Sequence, residues 1–153
     1  MIPEYKLYHG AVLAELVHSY PNAVSIDELV EEGRLTSYVL DNRIGLQIKH
    51  SSKRLNPWQF TFTPANYREI GFLQISHRNS FIVLVCHTDG MVCLTADEVI
   101  SLLAFGESAQ GWIRVSRRRN EWYSVSGGAA ELPRKKPEGL DPIIACLGQP
   151  EPG

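Results

Sequence analysis

Phe81-Ile82-Val83-Leu84-Val85-Cys86 is followed by Thr88-Asp89-Gly90-Met91 and then by Val92-Cys93-Leu94, and this stretch decides the fold class. Its first six residues are apolar without interruption, which is typical of a central strand that is covered on both faces. An Asp-Gly pair between two apolar runs favours a tight hairpin turn. A two-residue turn predicts that Cys86 lies directly opposite Cys93, with both residues as buried thiols.

Helical and strand patterns surround this hairpin. Helices are predicted over Glu4–Ser19, from Ser25 to Gly33, from Ala65 to about Ile75 and from Thr95 to Leu103; strands are predicted over Ser37–Leu40, Ile44–Ser51, Trp58–Phe62, Trp112–Val115 and Trp122–Val125. We therefore expect an α/β fold with a mixed central sheet flanked by helices. Residues 1–132 are expected to form one domain, and the proline-rich residues 133–153 an irregular tail.

Composition and length exclude several classes of protein. The chain has 153 residues, of which 44% are apolar and 21% charged, so it can bury a core and is not a disordered chain. No apolar run approaches the roughly 20 residues of a membrane helix. The first six residues lack the apolar segment of a signal peptide, so we expect a cytoplasmic protein without a membrane partner. The three cysteines lack the spacing of a zinc site.

The net charge of −2 conceals three basic stretches. They hold 11 of the 15 lysines and arginines: Arg43, Lys49, Lys53 and Arg54; Arg114, Arg117, Arg118 and Arg119; and Arg134, Lys135 and Lys136. If the three stretches meet on one face, they form a phosphate-binding surface despite the acidic total. The alternative is that each stretch is a separate solvated loop or strand edge.

A second candidate site lies in the three-strand meander predicted from Ser37–Leu40, Ile44–Ser51 and Trp58–Phe62. Alternation along Ile44–Ser51 places Gln47 and Lys49 on one face, with Asp41 shortly before them. Glu15 falls on an apolar stripe of the first helix, where an unpaired carboxylate is costly. Carboxylate and amide oxygens beside a lysine suit Mg²⁺ and a phosphate. Glu15 reaching solvent and Asp41 acting only as a turn residue are the alternatives.

These residues resemble a known family. Gly10-Ala11-Val12-Leu13-Ala14-Glu15, Asp41 and Gln47-Ile48-Lys49 are similar to the motifs of the PD-(D/E)XK nuclease superfamily, which includes restriction endonucleases and archaeal Holliday-junction resolvases. The resemblance covers roughly residues 5 to 103, and it implies a restriction-endonuclease-like fold. It also implies that Glu15, Asp41 and Gln47 bind Mg²⁺ while Lys49 positions the attacking water. Gln47 replaces the glutamate of most members, which predicts weaker metal binding.

The stretch after Lys49 is polar, basic and aromatic. Ser51, Ser52, Lys53 and Arg54 are expected to contact phosphates of DNA or RNA, and Trp58 to stack on a base. Arg117, Arg118 and Arg119 are expected to join them. In the alternative, Trp58 and Phe60 are core residues and the basic side chains belong to a solvated loop.

Three functions remain open from the sequence. The first is a Mg²⁺-dependent nuclease or nuclease-fold DNA-processing protein. The second is a catalytically inactive nucleic-acid-binding module on the same fold, and the third is a protein-interaction module in which exposed Trp112 and Trp122 dominate. The five histidines are scattered and no GxSxG sequence is present, so serine hydrolase chemistry has no support.

Overall fold

The computed structural model describes residues 1–31, 34–103 and 111–150. Within these ranges the chain forms four helices and eight strands. The helices are α1 (Glu4–Ser19), α2 (Pro64–Ser76), α3 (Ala96–Leu102) and α4 (Asp141–Leu147). The strands are β1 (Ile26–Glu31), β2 (Arg34–Leu40), β3 (Ile44–Ser51), β4 (Trp58–Phe62), β5 (Asn79–Cys86), β6 (Gly90–Thr95), β7 (Gly111–Ser116) and β8 (Ser124–Gly127).

The central sheet is mixed and has the strand order β1-β2-β3-β5-β6. β3 and β5 pair in parallel, whereas the other neighbouring strands pair antiparallel. The parallel pair needs a crossover connection, which β4 and α2 provide. The prediction of an α/β fold with a mixed central sheet flanked by helices is confirmed. A second, antiparallel sheet with the order β4-β7-β8 adds a layer that the sequence did not predict.

Each face of the central sheet buries its own core. On one face, Leu46 and Ile48 of β3 pack with Val12 and Leu16 of α1 and with residues of α4. On the other face, the core combines residues of β5 and β6 with α2, α3 and the three-stranded sheet. We call these the α1 face and the α2 face. The apolar run of β5 contributes to both cores, as expected for a strand covered on both sides.

The helix predicted from Ser25 is wrong, because these residues form strand β1 instead. Ile26 lies opposite Leu40, and Glu28 lies opposite Tyr38, in an antiparallel pair with β2. Without β1, the backbone groups of β2 would form the open edge of the sheet. Pairing across the sheet therefore outweighs the local capping pattern, and the predicted stop at Gly33 lies outside the described residues.

The predicted contact between two cysteines is also wrong. Cys86 lies opposite Gly90, whereas Cys93 lies opposite Val83. The turn is longer than two residues, and it places Cys86 in the core of the α2 face and Cys93 in the core of the α1 face. The described cysteines are all buried free thiols, as the sequence predicts for their redox state.

The C-terminal segment is not irregular throughout, in contrast to the expectation for residues 133–153. Helix α4 begins within it, and Pro142 fits the first turn of this helix. Ile143, Cys146 and Leu147 are buried on the α1 face of the central sheet. The apolar side of this short helix therefore completes the core, and the helix is not an appendage to it.

Candidate nucleic-acid interface

Lys49 and Glu15, both expected in one hydrolytic centre, lie on opposite faces of the central sheet. Lys49 Nζ donates to the Thr61 carbonyl at 2.7 Å and to Asn66 Oδ1 at 2.9 Å, so its amine lies on the α2 face. Glu15 belongs to α1, which packs on the α1 face, and its carboxylate accepts from Ser19 Oγ at 2.8 Å. The expected convergence of these two residues does not occur.

Asp41 is a turn residue in the structure. It begins the three-residue loop Asp41-Asn42-Arg43 between Leu40 and Ile44, which pair with each other. Its φ of 51° lies in the left-handed region that aspartate tolerates in turns. Its carboxylate accepts from the backbone N–H of Ser25 at 2.9 Å. Asp41 therefore ties the loop to the start of β1, and Lys49 lies roughly 16 Å along β3 from Ile44.

Gln47 and Lys49 lie side by side on the α2 face, as their alternation predicts. Gln47 is buried, and its Nε2 donates to the Glu69 carboxylate of α2 at 2.8 Å. Gln47 Oε1 is buried without a hydrogen-bond partner in the described part of the chain. Gln47 is thus the one expected metal ligand that remains beside Lys49.

The donors expected for Mg²⁺ do not fit such a site here. Hard divalent cations need several oxygen ligands at one point, and carboxylates are the strongest of them. Glu15 and Asp41 lie elsewhere, which leaves one amide oxygen of Gln47 and the carboxylate of Glu69. Over residues 1–31, 34–103 and 111–150, no group of three or more His, Cys, Asp or Glu side chains could hold a metal ion.

Lys49 holds the junction between β4 and α2. The Asn66 side chain that accepts from Lys49 also accepts from the backbone N–H of Thr63, where it completes a capping box. The ammonium lies 4.6 Å from the centre of the Phe62 ring. Burial lowers the pKa of Lys49 to about 8, while the Glu69 carboxylate acts in the opposite direction.

This lowered pKa predicts a pH-dependent contribution to stability. In the unfolded chain the pKa of a lysine is 10.5, so between about pH 8 and pH 10 the unfolded state binds more protons at this position and folding gains stability as pH rises. We expect the free energy of unfolding of the wild type to gain about 2 kcal/mol over that of Lys49→Met between pH 7 and pH 10, measured by urea unfolding.

The titration of cysteines and tyrosines cancels from the difference between the two free energies of unfolding, because both proteins contain the same cysteines and tyrosines. Lys6→Met, at an exposed lysine of α1, is the matched control for the removal of one lysine. A constant difference between wild type and Lys49→Met across this pH range would contradict the burial argument.

One surface combines side chains from all three basic stretches: Arg54 from the first, Arg117, Arg118 and Arg119 from the second, and Lys135 from the third. One cleft is lined by Asn56, Ser116, Arg117, Arg118, Arg119, Glu121, Ser124 and Lys135. A second cleft is lined by Arg54, Leu55, Asn56, Trp58, Asp89, Arg117 and Arg119. The two clefts are neighbours, because Asn56, Arg117 and Arg119 line both. We call their combined lining the basic cleft; it holds five cationic side chains and two carboxylates.

Arg117 anchors the loop that carries the other arginines. Its Nε donates to Asp89 Oδ2 at 2.8 Å, and its Nη2 donates to the Asp89 carbonyl at 2.9 Å. Its guanidinium also lies 4.3 Å from the ring of the buried Tyr123, whose hydroxyl donates to the same carboxylate at 2.6 Å. Burial is the largest cause that raises the pKa of Tyr123 above its usual value, and the hydrogen bond to Asp89 raises it further. Asp89 is therefore already bonded to Arg117 and Tyr123.

Three arginines of the basic cleft are accessible to an anion: Arg54, Arg118 and Arg119. All three side chains are exposed, and none forms an ion pair with the residues that the structure describes. By contrast, Lys135 pairs with Glu121 at 3.1 Å, and Lys136 pairs with Glu98 at 2.6 Å. The surface thus presents three unpaired guanidinium groups from two distant parts of the chain, and these are the groups best suited to bind an anion.

Other residues expected to contact nucleic acid have different roles. Trp58 is 3% exposed, and its Nε1 donates to the Lys53 carbonyl at 2.9 Å, so the expected stacking on a base is wrong. Trp58 and Phe60 are core residues, in agreement with the alternative. Lys53 Nζ donates to the Pro57 carbonyl at 3.1 Å, and Ser52 Oγ donates to the carboxylate of Glu4.

Sequence reasoning missed Asn56 and Glu69 as site residues. Asn56 lies between Arg54 and a cis proline and lines both clefts, but asparagine before proline is ordinary turn sequence. Glu69 reaches Gln47 from α2, a contact over 22 residues that no local spacing indicates. The sequence indicates Lys135 only as part of a basic stretch. It does not indicate that Lys135 and its partner Glu121 line the same cleft.

Comparisons with known proteins do not assign the chain to a family. No protein-family model matches the chain, and neither a curated protein nor a solved structure matches it significantly. In the described part of the chain, no helix combines the length and apolar character needed to cross a bilayer.

Proposed function

We propose that this protein binds the phosphodiester backbone of nucleic acid through the basic cleft and does so without hydrolysing it. The observation that carries the proposal is the meeting of Arg54 with Arg118 and Arg119, which lie more than 60 residues apart in the chain. Guanidinium groups hydrogen-bond phosphate oxygens in a fixed fork geometry. When exposed arginines without carboxylate partners bind a polyanion, they displace the counterions that are condensed on the polyanion, and this release favours binding.

The form of the cleft favours a polymer over a single small anion. Two adjoining clefts place the guanidinium groups of Arg54, Arg118 and Arg119 along one surface, so each group can contact a different phosphate of one strand. Asn56, Ser116 and Ser124 add neutral hydrogen-bonding groups between the charges. These are contacts to phosphate and sugar, so they position a strand without reading its sequence.

A restriction-endonuclease-like fold remains part of the proposal. Its support is the order of the elements: α1 precedes the antiparallel strands β1-β2-β3, α2 follows, and β5-β6 completes the sheet. Gln47 and Lys49 also occupy one face of β3, as the resemblance to the PD-(D/E)XK superfamily implies. A Mg²⁺-dependent centre is not carried over, since Glu15 and Asp41 lie away from Lys49.

Salt-dependent binding without cleavage is the expected result. Fluorescence anisotropy with labelled DNA and RNA should show affinity that falls about 10- to 60-fold between about 50 and about 200 mM salt. The same oligonucleotides should remain intact after incubation with excess protein and Mg²⁺ or Mn²⁺. Salt-independent binding, or no binding at low salt, would contradict the proposal. Cleavage that Lys49→Ala abolishes would replace it with the nuclease function.

A further inference from the structure

The outer face of the three-stranded sheet carries an aromatic and cationic surface. The burial of β7 alternates, so Trp112 and Arg114 face outward while Ile113 and Val115 enter the core. β7 is the middle strand, paired with β4 on one side and β8 on the other. Trp112 is 37% exposed, and the Arg114 guanidinium lies 5.6 Å from its ring centre.

Neighbouring strands extend this surface with neutral polar groups. The register places Thr61 beside Trp112, and it places Gln59 and Ser126 on either side of Arg114. Gln59 Oε1 accepts from Arg114 Nη2 at 3.4 Å. We call Gln59, Thr61, Trp112, Arg114 and Ser126 the sheet platform. Its one charged member is the cation Arg114, while the exposed Glu131, which bridges Ser126, lies at the edge of the platform. The positive charge of Arg114 attracts a phosphate.

The sheet platform leads directly into the basic cleft. Ser116, two residues beyond Arg114 on β7, lies opposite Ser124 of β8, and both serines line the cleft. The distance along β7 from Trp112 to Ser116 is roughly 13 Å at the rise of a strand. A single strand can therefore cross the platform and enter the cleft without leaving cationic or hydroxyl-bearing surface.

We propose that the sheet platform binds single-stranded nucleic acid, with a base stacked on Trp112 and a phosphate held by Arg114, and that the strand continues into the basic cleft. This inference rests on the proposed function and adds its substrate class. An aromatic ring lying on a sheet can stack only on a base that has left its own stack, which a duplex interior does not offer. A single strand offers such bases at every position.

The test compares a labelled single strand of roughly 12 nucleotides with the duplex of the same sequence. We expect the single strand to bind wild type at least about 10-fold more tightly than the duplex does. Trp112→Ala should weaken single-strand binding about 5- to 100-fold, and Trp112→Phe should restore most of it. Phe72→Ala is the matched control, because Phe72 is an aromatic of similar exposure on α2, outside the platform and the cleft.

The outcomes separate this inference from the proposed function. If the duplex binds as tightly as the single strand and Trp112→Ala binds like wild type, the platform inference is overturned while salt-sensitive cleft binding stands. If neither form binds, both proposals are overturned. Thermal melting of each variant identifies a loss of folding, and in that event Arg114→Gln gives the second test, with a loss of single-strand affinity expected and wild-type affinity contradicting the inference.

Discussion

Replacing Arg54, Arg118 and Arg119 together by alanine should lower the affinity for oligonucleotides about 100-fold at low salt. This corresponds to about 1 kcal/mol for each guanidinium, which is modest for a charge-assisted contact because the groups are exposed. These three arginines line the basic cleft and have no ion-pair partner in the described part of the chain. Fluorescence anisotropy against the same labelled strand measures the change.

The matched control replaces two arginines outside the cleft. Arg68 on α2 and Arg78 after it are exposed, and neither lines the basic cleft. The double variant Arg68→Ala, Arg78→Ala should bind within about threefold of wild type, since the local geometry and not the total charge sets the affinity. Equal losses per arginine replaced in the two variants would show that only the net charge matters, which contradicts a localised interface. Surface changes of this kind should leave stability within about 0.5 kcal/mol.

Gly127→Ala should destabilise the protein by about 2 to 4 kcal/mol. A Cβ atom on Gly127 would lie 2.2 Å from the backbone oxygen of Leu102 and 2.8 Å from its carbonyl carbon. Backbone atoms cannot move aside as a flexible side chain can, so β8 or the end of α3 would have to shift. The same oxygen accepts from the N–H of Ala129 at 3.0 Å, a bond that such a shift would lengthen. Urea or thermal unfolding measures the loss.

Gly10→Ala is the opposite case and serves as the control. Gly10 lies in α1, and a Cβ there would meet nothing within 4 Å. Alanine has a higher helix propensity than glycine and restricts the unfolded chain, so Gly10→Ala should stabilise by about 0.5 to 1 kcal/mol. Two substitutions of the same type are thus expected to change stability in opposite directions. Similar effects at both positions would contradict the close approach of β8 to α3.

The parts of the fold that the sequence predicted best depend on long or uninterrupted patterns. The apolar run of β5 predicted a strand covered on both faces, and it supplies side chains to both cores. The first helix is confirmed with its boundaries, Glu4–Ser19. Alternation along β3 correctly placed Gln47 and Lys49 on one face. In each case the pattern itself reports which side of the element is buried.

The errors arise where contacts distant in sequence decide the structure. Ser25 to Glu31 has a local capping pattern, but the unpaired edge of β2 makes it a strand. The prolines of the C-terminal segment indicate irregular chain, yet Pro142 fits the start of α4 and the α1 face buries its apolar side. The three-stranded sheet joins β4 to β7 across about 50 residues, and no local signal reports that pairing.

The sequence indicates which charged residues belong to the candidate site, but it does not indicate how the fold brings them together. The sequence showed three basic stretches and left open whether they meet; the structure brings Arg54, Arg118 and Lys135 to one surface. It also showed which residues could form a metal centre, but not that α1 lies across the sheet from Lys49. Which face a helix covers depends on the whole topology, and so does the separation of Glu15 from Lys49.

The salt dependence of binding tests the basic cleft most directly, because it counts the phosphates that the protein neutralises. For a single strand, the slope of log K against log salt concentration changes by about 0.7 for each phosphate contact. We predict that the variant lacking the guanidinium groups of Arg54, Arg118 and Arg119 shows a slope shallower than that of wild type by about 2. Parallel lines for the two proteins would mean that these arginines contact no phosphate, and would contradict the proposed interface.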